Sequence, residues 1–140
     1  MIKAAIIDSF PAFQKGIGKE VEQQADMQLV GTSNRGSEAI TLVREQSPDV
    51  IILGVNRDSR VDAYDPLVVV QNLHKECPNL RIIILSNEAI CVHELIELGV
   101  TGYVLKHDPE AVSMMQAIRV VHGNGLFYSE GIKELLSLSR

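Results

Sequence analysis

The feature that most constrains the fold of this chain is a series of short, continuously apolar runs. The clearest of them cover residues 4–7, 50–53 and 82–85, and Ile and Val dominate each one. A strand without polar positions must be covered on both faces, as in a parallel sheet with helices on either side. Longer segments of helical periodicity separate the runs. The alternation predicts five βα units, which form a doubly wound α/β domain.

Proline, glycine and capping residues divide these segments into elements. The predicted strands are 3–7, 28–32, 49–54, 81–86 and 101–105, and the predicted helices are 11–24, 36–46, 64–76, 89–98 and 109–122. Asp108, Pro109 and Glu110 are expected to open the fifth helix as its N-cap, first residue and first-turn acid. A short sixth helix from Ser129 to Leu138 is expected to leave the domain. We therefore assign residues 1–125 to the domain and 126–140 to a C-terminal linker helix.

Composition narrows the class of protein. A chain of 140 residues is large enough to fold as one domain, and 46% hydrophobic with 22% charged residues is ordinary for a soluble protein. No signal peptide or membrane-length apolar segment is recognisable, which predicts a cytoplasmic protein without a membrane partner. The net charge of −5 argues against a broad nucleic-acid surface. Cys77 and Cys91 lack metal-ligand spacing and are expected to pack as apolar groups.

Polar residues stand where three of the apolar runs end. Asp8, Ser86 and Lys106 follow three runs directly, whereas the run at 50–53 ends in Gly54. If the runs are parallel strands, a carboxylate, a hydroxyl and an ammonium converge on one crevice, because the carboxyl ends of parallel strands share an edge of the sheet. The pattern predicts a phosphate-handling site in which the position of a second carboxylate is occupied by glycine.

Five motifs in order resemble the receiver domain of bacterial response regulators. The five motifs lie in the pieces Ile6 to Pro11, Ser47 to Leu53, Ile84 to Ser86 and Gly99 to Lys106, and the resemblance covers about residues 2 to 122. The most similar branch carries a LuxR-type helix-turn-helix after the receiver. The resemblance implies a flavodoxin-like strand order 2-1-3-4-5. It also implies a DNA-binding output domain, which this chain does not include.

The resemblance also implies roles for individual positions. In that family an acidic pair after the first strand and an aspartate after the third hold Mg²⁺, and the third-strand aspartate takes phosphate from a histidine kinase. The pair corresponds to Asp8 and Ser9 here, and the phosphoacceptor corresponds to Gly54. The phosphate-contacting hydroxyl residue, the aromatic switch and the phosphate-pairing lysine correspond to Ser86, Tyr103 and Lys106.

The departures from the family pattern decide the expected chemistry. Glycine cannot form an acyl phosphate, so Gly54 cannot be phosphorylated. With one carboxylate, at Asp8, we expect weak Mg²⁺ binding or none and no cofactor. The loop after Gly54 places Arg57 and Arg60 near the crevice. Its acids are candidate substitute acceptors, and they are Asp58, Asp62 and Asp65.

Several residues have a structural interpretation beside the functional one. Asp8 is a charge partner or a cap for the first helix, and Ser86 is a strand-end cap or a phosphate contact. Lys106 is expected to pair with Asp8 across neighbouring strand ends. Tyr103 is expected to pack with its hydroxyl reaching solvent. The scattered histidines, His74, His93, His107 and His122, show no ligand spacing and predict no metal site.

We therefore expect a non-enzymatic pseudo-receiver, a regulatory module that acts through protein contacts. The expected partners are a second copy of the chain and a histidine kinase or another regulatory protein. Contact is expected through a face that includes Ile90, Leu95, Ile96 and Tyr103, or through the first and fifth helices. The alternative is a sensor that binds a small anion or metabolite in the crevice beside Gly54.

Overall fold

A six-stranded parallel sheet with helices on both faces forms the domain. The computed structural model describes residues 1–56 and 64–138. The strands are β1 Ile2–Ile7, β2 Met27–Ser33, β3 Val50–Val55, β4 Arg81–Ser86, β5 Gly102–Leu105 and β6 Phe127–Tyr128, in spatial order β2-β1-β3-β4-β5-β6. The helices are α1 Pro11–Glu22, α2 Ala39–Gln46, α3 Pro66–Glu76, α4 Val92–Glu97, α5 Met114–His122 and α6 Glu130–Ser137, with 3₁₀ segments at Gly36–Glu38 and Pro109–Val112. Within the described ranges, no helix has the length and apolarity needed to cross a membrane.

The sheet separates two hydrophobic clusters. Successive residues of β3 and β4 point to opposite faces, so Ile51 and Ile82 join the cluster under α2, α3 and α4, whereas Ile52 and Ile83 join the one under α1 and α5. Every residue of β3 is buried. The prediction that the apolar runs are strands covered on both faces is thus confirmed, as is the doubly wound α/β class.

The sheet differs from the prediction at its last strand. Phe127 and Tyr128 pair in parallel with Gly102 and Tyr103, which gives six strands where the sequence predicted five. Without β6 the outer edge of β5 would leave backbone groups unpaired, and the Ser129 N–H instead donates to the Tyr103 carbonyl at 3.1 Å. A strand of two residues is too short to produce a recognisable alternation in sequence.

The C-terminal helix also differs from its prediction. Helix α6 lies within the predicted range but does not leave the domain, because Ile132 is fully buried in the cluster shared with α2, α3 and α4. The fifth helix is interrupted as well: the 3₁₀ segment Pro109–Val112 ends at Ser113, and α5 begins at Met114. The predicted capping bond of Asp108 is not made, since its carboxylate binds the start of α6.

Candidate functional site

The carboxyl-terminal edge of the sheet brings Asp8, Gly54 and Lys106 together. Asp8 follows β1, Gly54 lies in β3, and Lys106 follows β5, with Leu53 of β3 in register with Ile7 and Ile84. The Lys106 Nζ atom lies 3.1 Å from Asp8 Oδ2 and 3.2 Å from Asp8 Oδ1. The predicted ion pair between Asp8 and Lys106 is confirmed.

This ion pair is almost completely shielded from water. The side chains of Lys106 and Asp8 are 5% and 1% exposed. The rings of Phe10 and Phe13 cover the ammonium, with their centroids 4.4 and 4.3 Å from Nζ. A buried cation is tolerated only where other groups replace its hydration, and here a carboxylate and the faces of two aromatic rings do so.

Asp8 has a second role at the start of the first helix. Its Oδ1 atom accepts a hydrogen bond of 2.8 Å from the Phe10 N–H, immediately before α1. Of the two Lys106 contacts, the one to Oδ1 has hydrogen-bond geometry, so the lysine balances Oδ2 mainly through its charge. The interpretation of Asp8 as a charge partner is confirmed, whereas its bond to Phe10 closes a turn before α1 and no side chain caps the helix itself.

Gly54 is required by the close approach of Asp8. A methyl group added at Gly54 would lie 2.7 Å from the Asp8 Cγ and Oδ2 atoms and 2.9 Å from its Cα. The clash with the Asp8 backbone cannot be relieved by rotating a side chain. The Gly54 carbonyl accepts a hydrogen bond from the Tyr64 hydroxyl, which ties β3 to the segment before α3. The Asp8 carboxylate therefore occupies the space beside Gly54 that the sequence predicted to be an open crevice.

The described residues at this edge do not fit a Mg²⁺ ion. Mg²⁺ needs oxygen ligands at about 2.0–2.1 Å in octahedral geometry. The Asp8 carboxylate already faces the Lys106 ammonium, which supplies the positive charge that a metal would bring. Across residues 1–56 and 64–138, no group of three or more His, Cys, Asp or Glu side chains could hold a metal.

Ser86 is engaged in a local turn at the end of β4. Its hydroxyl donates to the Glu88 carbonyl at 2.7 Å and accepts from the Glu88 N–H at 3.3 Å. This geometry favours the strand-end cap over the phosphate contact, because the single O–H donor that a phosphate would need is used within the turn. Ser9, the other hydroxyl residue predicted for the site, is half-buried between Asp8 and Phe10.

The predicted interaction face is mostly core. Tyr103 is fully buried, and its hydroxyl donates to the Ile90 carbonyl and accepts from the Ile90 N–H, each at 2.7 Å. The prediction that this hydroxyl reaches solvent is wrong, since it is buried and bonds to the backbone of the β4–α4 loop. Ile90 and Leu95 are 5% and 0% exposed and cannot form a surface, which leaves Ile96 as the partly exposed member.

Among the other candidate residues, those that the structure describes do not join the site. Asp65 caps α3 by accepting a hydrogen bond of 2.9 Å from the Leu67 N–H. Asp58 and Asp62, the other substitute acceptors, lie outside the described residues, as do Arg57 and Arg60. His74 bonds to the Leu80 carbonyl at 3.2 Å. Cys77 and Cys91 form no disulfide and pack against the hydrophobic cluster under α2, α3 and α4, as predicted.

Sequence reasoning missed the two aromatic rings that close the site. Phe10 and Phe13 flank Pro11 at the start of α1, and residues three apart on a helix share a face. Their spacing directly after the strand-end Asp8 was a usable signal. Aromatic residues near a helix start are common, so the spacing alone does not specify a contact with Lys106.

Comparisons with known proteins agree on one class. A doubly wound parallel sheet with its charged residues at the carboxyl edge is the architecture of flavodoxin-like signalling domains. The family model of the response regulator receiver domain matches residues 4–119. The chain therefore belongs to the response regulator receiver domain family.

Individual relatives are named as response regulators or transcriptional regulatory proteins. The chain is 31% identical over 137 residues to a nitrate/nitrite response regulator homologue of Haemophilus influenzae, a match that covers 96% of the chain and 64% of that protein. It is 30% identical to the transcriptional regulatory protein LiaR of Bacillus subtilis, over 85% of the chain and 55% of the relative. The chain thus spans less than two thirds of the length of each of these relatives.

Solved structures show the same fold. A LuxR-family two-component response regulator from Aurantimonas superposes with a TM-score of 0.81 at 20% identity, covering 99% of this chain and 96% of that one. The isolated receiver domain of RcsB from Salmonella enterica also reaches 0.81 at 20% identity, covering 96% of this chain and 97% of that one.

Proposed function

We propose that this chain is an atypical receiver, a pseudo-receiver that regulates without phosphorylation at the position of Gly54. One observation carries the proposal: the Asp8 carboxylate is packed against Gly54 and paired with a buried Lys106. A receiver's chemistry needs a carboxylate that attacks phosphorus and an accessible metal beside it. Here Gly54 has no carboxylate, and the positive charge beside Asp8 is the buried Lys106 ammonium rather than a metal ion.

Asp8 is a poor substitute acceptor for physical reasons. Its side chain is 1% exposed, and both oxygens face the Lys106 ammonium. The rings of Phe10 and Phe13 hold the Lys106 ammonium against this carboxylate, so a phosphoryl donor would have to break a buried ion pair to reach it. The same closure weakens the alternative of an anion sensor, because the cation that would attract the anion is already neutralised.

The role of the module follows from the relatives' names. Several are transcriptional regulatory proteins or response regulators that extend well beyond the matched region. We propose that this chain is the receiver part of such a transcription regulator, in which a separate C-terminal domain binds DNA. A homodimer, a histidine kinase or another regulatory protein as partner, and a cytoplasmic location remain predictions from the sequence.

Phosphotransfer read by intact mass tests the proposal. The chain is incubated with acetyl phosphate or phosphoramidate and Mg²⁺, beside a receiver that retains its third-strand aspartate as the positive control. We expect no phosphoryl adduct on this chain while the control is modified. An adduct that disappears in Asp8→Asn would show that Asp8 is the acceptor. An adduct that persists in Asp8→Asn would place the acceptor elsewhere, and either result would end the pseudo-receiver interpretation.

A further inference from the structure

The start of helix α6 is held by two carboxylates, those of Asp108 and Glu110, and Glu110 Oε1 accepts a hydrogen bond of 3.0 Å from the Glu130 N–H. Asp108 Oδ2 accepts hydrogen bonds from the Ser129 hydroxyl at 2.7 Å and from the Gly131 N–H at 2.8 Å. The Ser129 hydroxyl in turn accepts from the Leu105 N–H at 2.9 Å. Ser129 is fully buried. Asp108 therefore accepts hydrogen bonds from the first residues of α6 although it lies outside that helix, and Ser129 links the helix to β5.

The first turn of α6 lies unusually close to β5. A methyl group added at Gly131 would lie 2.7 Å from Leu105 Cδ1 and 3.0 Å from Asp108 Oδ2. Ile132, the next residue, is fully buried. The close backbone approach, the buried side chain and the bonds to Asp108 define one position of α6 on the domain.

The turn that carries Asp108 also carries the lysine of the ion pair. The Lys106 side chain binds Asp8, and its N–H donates to the Ser86 carbonyl at 2.8 Å. Two residues later Asp108 binds α6, and its own N–H closes the turn by donating to the Leu105 carbonyl at 3.0 Å. This tight turn therefore contacts Asp8, just before α1, through Lys106, and it contacts the first residues of α6 through Asp108.

We propose that the turn 106–108 couples the Asp8–Lys106 pair to helix α6, with Asp108 as the positioning residue. A change at the ion pair moves the turn, and the turn then loosens or tightens the first residues of α6. The coupling goes beyond the proposed function, because it would operate whether the pair responds to a partner, to a ligand or to a covalent change. It gives a receiver without a phosphoacceptor a route from its former site to its last helix.

Hydrogen exchange of the 140-residue chain, read by mass spectrometry on peptides covering residues 127–138, tests the Asp108 contact. We expect Asp108→Ala to raise the exchange rate of α6 by at least tenfold, because two donors lose their acceptor. Asp108→Asn keeps an acceptor oxygen and is expected to restore most of the protection. Asp26→Ala is the matched control, since Asp26 is a half-exposed acid paired with Arg119 and its removal should leave α6 unchanged. Unchanged α6 exchange in Asp108→Ala would overturn the positioning role.

The coupling is tested by variants at the other end of the turn. The paired substitution Asp8→Asn with Lys106→Met removes both charges, and Phe13→Leu removes one ring above the ammonium without changing charge. We expect each to raise α6 exchange several-fold while peptides from β3 keep their protection. If the paired variant is unfolded, exchange rises everywhere, and Phe13→Leu then decides the question. Unchanged α6 exchange in the folded variants would refute the coupling, whatever the phosphotransfer experiment gives.

Discussion

At the scale of single residues, the ion pair between Asp8 and Lys106 is distinguished by its burial. A salt bridge between exposed side chains contributes little to stability, but removing one partner of a buried pair leaves an uncompensated charge. The side chains of Asp8 and Lys106 belong to the second case, since both are at most 5% exposed. The pair is thus more important for fixing one arrangement of the strand ends than for the net free energy of folding.

Replacing the lysine should therefore be costly. Lys106→Met is expected to lower the free energy of unfolding by about 3–5 kcal/mol, because the Asp8 carboxylate stays buried without its counter-charge. Adding Asp8→Asn should recover part of that loss. Urea unfolding followed by circular dichroism measures all three proteins. Lys133→Met, at an exposed position of α6, is the matched control and should change stability by less than about 0.5 kcal/mol. Equal effects of Lys106→Met and Lys133→Met would contradict the buried pair.

Two glycines should respond to alanine with opposite sign. Gly54→Ala places a methyl group 2.7 Å from Asp8 Cγ and 2.9 Å from its Cα, and is expected to destabilise the fold by about 1–3 kcal/mol. Gly16→Ala in α1 meets no atom within 4 Å and should stabilise the fold by about 0.5–1 kcal/mol. Thermal and urea unfolding compare them directly. A neutral Gly54→Ala would mean that Asp8 moves away without cost.

At the scale of elements, Asp108 makes the docking of α6 sensitive to acid. Burial raises the pKa of this carboxyl, but hydrogen bonds from Ser129 and Gly131 and the nearby His107 outweigh it, so the pKa lies below its ordinary value of 3.8. A lowered pKa means that the ionised group stabilises the fold above pH 3.8 and that this contribution is lost as the pH falls through the lowered value.

We therefore expect the free energy of unfolding to fall more steeply below about pH 4 in the native chain than in Asp108→Asn, which has no proton to bind at this position. Urea titrations from about pH 5 downward give the two slopes. Asp26 and Glu76 also have lowered pKa values through bonds from Arg119 and Arg44, so the informative quantity is the difference between the two proteins. Parallel curves would show that Asp108 does not titrate with folding.

The elements themselves could be predicted because each carries a repeated signal. The apolar runs, the prolines at positions 11 and 109 and the glycine at position 99 set bounds that the structure reproduces to within a few residues. The break at Ser113 was missed because helical periodicity continues across it. Strand β6 was not predicted because it forms by pairing with the outer edge of β5, and the sequence does not reveal which strand lies at the edge of a sheet.

The site was predictable as a set of positions but not as a set of contacts. The convergence of Asp8, Gly54 and Lys106 follows from strand ends, and their pairing follows from opposite charge. Closure by Phe10 and Phe13 and the inward position of Tyr103 depend on side-chain packing. Residue spacing constrains such packing only weakly, so the site was predicted open and found closed.

At the scale of the whole molecule, the last residues belong to the folding unit. A chain that ends at residue 125 loses β6 and α6, and with them the buried side chain of Ile132 and the Ser129 partner of Leu105. We expect it to be less stable by at least about 2 kcal/mol, the order of magnitude for exposing one buried isoleucine site. Urea unfolding compares it with a chain ending at residue 138, which should match the full chain. Full stability of the shorter chain would show that α6 contributes no folding energy.

The two edges of the described sheet differ from those of a long flat strand. On one side β6 offers only two residues, and on the other the pairing of β2 with β1 shifts register between Ala4 and Ala5. Short or irregular edges are poor templates for a strand from another molecule. We therefore expect the two-residue edge at β6 and the irregular pairing of β2 to hinder sheet-to-sheet joining between copies, so that the domain resists fibrous aggregation at high concentration.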